Sequence, residues 1–113
     1  MILPNADLAQ IDPDKLRGYV LSTSHPIGRF KARFFGSLGF RADNWQEFEE
    51  VLRIQHLTQN AQLVGTDEYG QKYTIRAILN GPNGQSAFVV SVWFVPKVGN
   101  VPRFVTAYPG ETP

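Results

Sequence analysis

Lys31 is the residue whose type and position fit least comfortably together, and the chemistry it offers is charge neutralisation. On a helical wheel at about 100° per residue from Ile27, Phe30 falls near ~300°, Phe34 near ~340°, Leu38 near ~20° and Phe35 near ~80°; Lys31 falls inside that apolar arc, near ~40°. A buried ammonium is costly unless paired. Lys31 therefore either carries its charge past the edge of the core or holds it in a cleft, where it neutralises a phosphate or a developing negative charge. Arg29 and Arg33 fall near ~200° and ~240° on the same wheel, on a solvated face that can extend a basic patch.

His25 precedes Pro26 at the expected start of the same helix, where free N–H groups and the helix dipole favour an anion and a neutral imidazole. A neutral imidazole can act as a base. His56, near the end of a later helix, reads as a structural C-terminal residue. In the last strand Phe104, Thr106 and Tyr108 alternate with Val105 and Ala107, so if the latter pair faces the core the two hydroxyls face out and can hold phosphate oxygens. Ser91 and Trp93 alternate against Phe88, Val90, Val92 and Phe94, which are expected on the buried face; Trp93 is then expected on the hydroxyl face as a stacking platform, with Arg76 a weaker addition. Asp67 and Glu68 are adjacent and point to different sides of a strand, which is turn chemistry rather than an acid/base pair.

The elements that must position these groups are legible from their periods. Residues 1–11, interrupted by Pro4, read as an N-terminal arm or short edge element. Asp12 as N-cap and Pro13 at the first helical position start a helix to about Leu21. A polar break follows, and Pro26 opens a second helix that Gly39 ends. Asp43 and Gln46 form a capping-box pattern for a third helix, reaching about Leu57 through Trp45, Phe48 and Leu52. From Ala61 the period becomes that of strands: AQLVGT, QKYTIRAIL, SAFVVSVWFV and RFVTAY, joined by DEYG, NGPNG and a Pro/Gly break. The expected fold is α+β, with three N-terminal helices packed on one face of a four-stranded antiparallel meander. The other face is left free to bind, and residues 109–113 are expected to fray.

Composition narrows the functions. A chain of 113 residues with 42% hydrophobic content holds one core, so a single domain over residues 1–113 is expected, with the helical part at 12–58 and the sheet at 61–108. The absence of cysteine excludes thiol catalysis, disulfides and cysteine metal sites. A formal net charge of +1 gives no whole-chain argument for nucleic-acid binding. No apolar run approaches the ~20 residues of a membrane span and no signal stretch opens the chain, which predicts a cytoplasmic protein. Neither a phosphate-cradling glycine loop nor a metal-ligand spacing nor a nucleophile elbow is found, so no cofactor or metal is expected.

The segments HPIGRFKARFFGSLGF, TDEYGQKYTI, GPNG and PRFVTAYP together resemble a bacterial domain family of undefined function that occurs as small proteins and at the C-termini of adhesin-like chains. Its signature matches through His25, Pro26, Gly28, Lys31, Ala32, Phe35, Leu38 and Gly39. The order of helices before a meander also resembles the ribonuclease fold of barnase, EndoU and RelE type toxins. That resemblance implies metal-independent endoribonuclease chemistry, in which a 2′-hydroxyl attacks the adjacent phosphate. His25 would be general base or acid, Lys31 would stabilise the phosphorane, and Thr106 with Tyr108 would position the phosphate. Arg29, Arg33, Arg76 and Trp93 would contact substrate. The implied partners are RNA and a small neutralising immunity or antitoxin protein. The alternative is a noncatalytic protein-binding module in which the same motif builds only the core.

Overall fold

A computed structural model of the chain describes residues 1–110. Three helices precede a four-stranded antiparallel sheet of order β1-β2-β3-β4, with β1 at Ala61–Thr66, β2 at Gly70–Asn80, β3 at Ser86–Pro96 and β4 at Arg103–Pro109. The strands lie where the period-2 segments put them. Pro109 and Gly110, expected to fray, are instead tied to β3, Pro109 in register with Val89 and the Gly110 N–H on the Phe88 carbonyl at 2.9 Å; residues 111–113 of the expected frayed end lie outside the described residues.

The first helix, α1 (Pro13–Lys15), runs into a π-wound turn (Leu16–Val20), capped by Asp12, whose carboxylate accepts the Asp14 N–H at 2.9 Å. α2 spans Gly28–Gly36, and α3 (Trp45–Val51) continues into a second π turn, Leu52–His56. Beyond α2 the chain turns away at Gly39, as expected of a C-terminal glycine: it takes φ +95°, while the Phe40 N–H reaches back to the Phe35 carbonyl at 3.1 Å. The expected Asp43–Gln46 box is not the cap of α3. Asn44 stands at the N-cap position of α3 without a side-chain bond to that helix; its Oδ1 accepts the Arg41 N–H at 2.6 Å and its Nδ2 donates to the Gly39 carbonyl at 3.2 Å, which closes the turn Ala42–Asn44 and ties the α2 ending to the α3 start.

The core joins Leu16, Val20, Phe35, Phe40, Phe48 and Leu52 of the helical half to Ile75, Leu79, Val89, Trp93 and Ala107 of the sheet. Phe48 receives Phe35 and Phe40 edge-to-face, with centroids 5.0 and 4.9 Å away, a geometry worth about 0.5–1.5 kcal/mol per pair beyond burial. The N-terminal arm docks along the sheet as an edge element. Leu3, Ala9 and Ile11 are buried, and backbone bridges tie Ile2 to Asn60 and Gln10 to Arg103.

Two face assignments differ from expectation. On β3 the residues turned to the helices are Ala87, Val89, Ser91, Trp93 and Val95, not the set Phe88, Val90, Val92 and Phe94. Val90 and Val92 are buried as well, so alternation in this strand carried no direction. On α2 the buried residues are Gly28, Ala32 and Phe35, while Ile27 and Phe30 stand 63% and 61% exposed. The core-facing arc is thus centred near ~100° on the wheel rather than near 0°. Gly28 explains the rotation: a Cβ there would lie 2.0 Å from the Tyr19 carbonyl oxygen, so the helix is pressed backbone-to-backbone against the π turn.

Candidate functional site

The rotation of α2 puts Lys31 at the rim of its buried face, half-buried, facing the free edge of β4. There its Nζ donates to the Thr106 Oγ1 at 3.1 Å and to the Tyr19 hydroxyl. The ammonium also lies 4.5 Å from the centroid of the Tyr19 ring, a cation–π contact. Three separate elements therefore converge on one cation: the π turn brings Tyr19, α2 brings Lys31 and β4 brings Thr106. An ammonium has three protons to donate, and these two bonds leave one for an incoming oxygen.

His25 completes the group. Its ring stands edge-on to Tyr19, with centroids 4.9 Å apart and planes at 74°. His25 Nδ1 accepts the N–H groups of Ile27 and Gly28, each at 3.0 Å, and the Arg29 N–H bonds to the His25 carbonyl at 3.0 Å. His25 thus caps, in the manner of an N-cap side chain, the turn through Pro26 and Ile27 that leads into α2. Two donors aimed at Nδ1 leave that nitrogen unprotonated, so the ring proton of the neutral imidazole sits on Nε2. The expectation of a base is narrowed by this: His25 presents a donor.

Nothing in its own stretch of sequence singles out Tyr19, which stands at helical spacing with Leu16 and Val20. The signal that points to it is Lys31 itself, since an ammonium on a half-buried face needs an oxygen to donate to. The hydrogen bond from Lys31 is the largest influence on the Tyr19 hydroxyl and holds it below the ordinary 10.0. Burial opposes that effect, while the Lys31 charge, the Thr106 hydroxyl and the charge of Lys15 add to it.

The other expected site residues lie at different places. Tyr108 is one row on from Thr106, on the sheet face away from the helices. The register Arg76–Val90–Tyr108 sets Arg76 and Tyr108 on either side of Val90. A bulge opposite Val92 and Trp93 breaks the alternation of β4, which turns Phe104 into the core while Thr106 and Tyr108 face outward. Arg29 and Arg33 are exposed; Arg29 lies over the Phe30 ring at 4.9 Å, and Arg33 lines a hollow with Thr23 and Asp43. Trp93 is not a stacking platform. It is 0% exposed and packs edge-to-face on Phe104 with centroids 5.4 Å apart.

Trp93 belongs instead to a buried polar chain. Its Nε1 donates to the Ser91 Oγ at 2.9 Å, and that oxygen lies 2.8 Å from His56 Nδ1. His56 is sealed in the core, and burial pushes its ring down to about 4, partly offset by the Ala77 carbonyl. That carbonyl falls short of a full hydrogen bond, and His56 Nε2 has no partner. Among the described residues no group of three or more His, Asp or Glu could hold a metal ion, and no helix is long and apolar enough to cross a membrane.

Over residues 2–111 the chain matches the model of the family described as a domain of unknown function, DUF6883, and it belongs to that family. The membership expected from the sequence is borne out at that level. No curated protein matches it. Among solved structures, it is similar to a chain of a contact-dependent growth inhibition toxin–immunity protein complex from Klebsiella pneumoniae 342, with a TM-score of 0.61 and 22% identity over 88% of this chain and 98% of that one. The likeness is one of fold.

Proposed function

We propose that this domain is a toxin-like endoribonuclease that cleaves RNA by attack of a 2′-hydroxyl on the adjacent phosphate, acting in the cytoplasm and neutralised by a dedicated partner protein. One observation carries the reading: the Lys31 ammonium, held by Tyr19 and Thr106 with a donor left over, beside a histidine whose Nε2 carries its proton. Such a cluster suits a phosphate whose charge grows in the transition state. The fold shared with a chain from a toxin–immunity complex supports the same reading.

In this mechanism the bond from O2′ to phosphorus forms as the bond from phosphorus to O5′ breaks, leaving a 2′,3′-cyclic phosphate. Tyr19, eased towards phenolate by Lys31, takes the 2′-hydroxyl proton. The leaving O5′ takes a proton from the Lys31 ammonium, and the hydrogen bond between the two residues returns it, so the pair ends as it began. His25 Nε2 donates to a non-bridging oxygen, Thr106 fixes the Lys31 head, and Tyr108 with Arg76 extends the phosphate-facing surface.

The test is incubation of the purified domain with RNA in the presence of chelator. Fragments ending in cyclic phosphate, absent with Lys31→Met, are expected; intact RNA with the wild-type chain overturns the reading. A noncatalytic binding module is favoured by one feature, the exposed Ile27 and Phe30 on α2. In that case expression arrests growth equally in wild-type and Lys31→Met cells, or in neither.

A further inference from the structure

A groove of ≈ 780 Å³ runs along the β4 edge and ends at Val105, the residue before Thr106 of the Lys31 cluster. Lys15, Lys72, Phe94, Arg103 and Val105 line it, with Asp12. We propose that it is a subsite for single-stranded RNA, holding the nucleotide next to the one cleaved; the inference rests on the ribonuclease reading and extends it to residues outside the cluster.

Charge comes first. Lys15, Lys72 and Arg103 face one carboxylate, Asp12, which already caps α1 through the Asp14 N–H. None of the three cations forms an ion pair among the described residues, where the pairs are Arg17–Asp14, Arg41–Asp43 and Arg53–Glu49. A chain of near-neutral net charge has concentrated unpaired positive charge in one concavity, the footprint of a polyanion site.

The register then adds an aromatic surface. Lys72 pairs with Phe94 and Phe94 with Arg103, so the three form one row across the sheet face turned away from the helices. The Arg103 guanidinium lies 5.1 Å from the Phe94 ring centroid. A phenyl ring with a cation over it, flanked by a second cation, offers a base a surface to stack on and its phosphates a place to bind, as in sites that take unpaired strands. An acidic protein surface would use the charges and leave the ring without a role.

Continuity joins groove to cluster. Val105 lines the groove and Thr106, the next residue, binds Lys31. The Lys72–Phe94–Arg103 row lies one side-chain repeat of about 7 Å from the row that pairs Thr74, Val92 and Thr106. Lys15 is close enough to Tyr19 for its charge to act on the hydroxyl. One extended strand can therefore meet both.

The probe is a fluorescent 2′-O-methyl oligoribonucleotide, which lacks the attacking hydroxyl, bound to the full chain and to the triple variant Lys15→Ala, Lys72→Ala, Arg103→Ala. All three residues are exposed, so unchanged circular dichroism is expected. Wild type should bind with strong salt dependence, and the variant's log–log salt slope should be shallower by about 2, at about 0.7 per lost phosphate contact. Phe94→Leu should bind about tenfold more weakly with the slope unchanged. Cleavage of a dinucleotide should be spared in the double variant Lys72→Ala, Arg103→Ala, which leaves the Lys15 charge near Tyr19 in place, while that of a longer strand falls at least tenfold. If wild type cleaves RNA but the triple variant keeps its affinity and slope, the subsite is overturned and the ribonuclease reading stands. If wild type neither binds nor cleaves, both fall. Binding of polyglutamate in preference to the oligonucleotide, lost in the triple variant, overturns the inference in favour of an acidic protein.

Discussion

The molecule holds two histidines, each beside a hydroxyl, and the difference between their settings separates a reactive arrangement from an inert one. His56 meets Ser91, which takes the Trp93 N–H, and all three are sealed in the core. His25 lies against Tyr19 at the rim, where Lys31 and Thr106 join it. By type alone a serine and a histidine within hydrogen-bonding distance are the more suggestive pair. Access reverses that order: the buried chain has no path to substrate, whereas the rim cluster keeps unspent donors on Lys31 and on His25 Nε2. A histidine's role here follows from which of its nitrogens is left over and what that nitrogen can reach.

Substituting asparagine at each histidine separates the two settings most sharply. Asparagine is among the best N-cap residues, so His25→Asn can keep the bonds to Ile27 and Gly28 while removing the Nε2 donor. The expected result is a loss of RNA cleavage of about 10²–10³-fold, with stability within about 0.5 kcal/mol of wild type. Lys31→Met should lose at least as much. At the other site, His56→Asn should leave cleavage unchanged at neutral pH. Cleavage rates and urea unfolding on the same preparations check all three; a cleavage loss in His56→Asn with folding intact would break the comparison.

The pH dependence of stability is the next largest effect, and it belongs to the buried histidine. His56 is held at about 4 in the folded state against an ordinary 6.5, so above pH 6.5 both folded and unfolded chains have a neutral ring and the stability is fully present. As pH falls from 6.5 towards 4 the unfolded chain takes up a proton that the folded chain does not. The loss is about 1.4 kcal/mol per pH unit, reaching about 3 kcal/mol near pH 4. Urea unfolding of wild type and His56→Asn at a series of pH values isolates the effect, because the carboxylates are common to both. Parallel curves would show that the core does not hold this ring neutral.

A smaller loss should follow from Gly28→Ala, which links the site to what could be read in the sequence. A methyl group 2.0 Å from the Tyr19 carbonyl oxygen forces α2 off the π turn, at a cost of about 1–3 kcal/mol, and a thermal melt should record it together with lower cleavage. The element order, the four strands and the Gly39 ending were legible because caps, turns and periods are local. Faces were not. In β3 Val90 and Val92 are buried alongside Val89 and Trp93, so alternation had no preferred side; in β4 the bulge reset the parity between Phe104 and Thr106. The wheel for α2 weighted large apolar residues, whereas close packing selected Gly28 and Ala32. His25, Lys31 and Thr106 were legible as a group because a lysine near an apolar arc demands partners. Tyr19 was not, since nothing local to its helix distinguishes it from a core tyrosine.

The smallest effect tests that missing residue. If the Lys31 hydrogen bond lowers the Tyr19 hydroxyl, one of the four tyrosines should ionise ahead of the others in an ultraviolet phenolate titration, and Lys31→Met should return that component towards 10. Tyr19→Phe should remove the early component and lower cleavage, moving the alkaline side of the pH–rate profile rather than the affinity for RNA. Thr106→Val keeps the tyrosine but takes away the oxygen that fixes Lys31. Its early component should persist, shifted modestly upward, with a cleavage loss smaller than that of Lys31→Met. If Tyr19→Phe changes neither titration nor rate, the hydroxyl only anchors Lys31, and the proton in the proposed reaction must leave by another group.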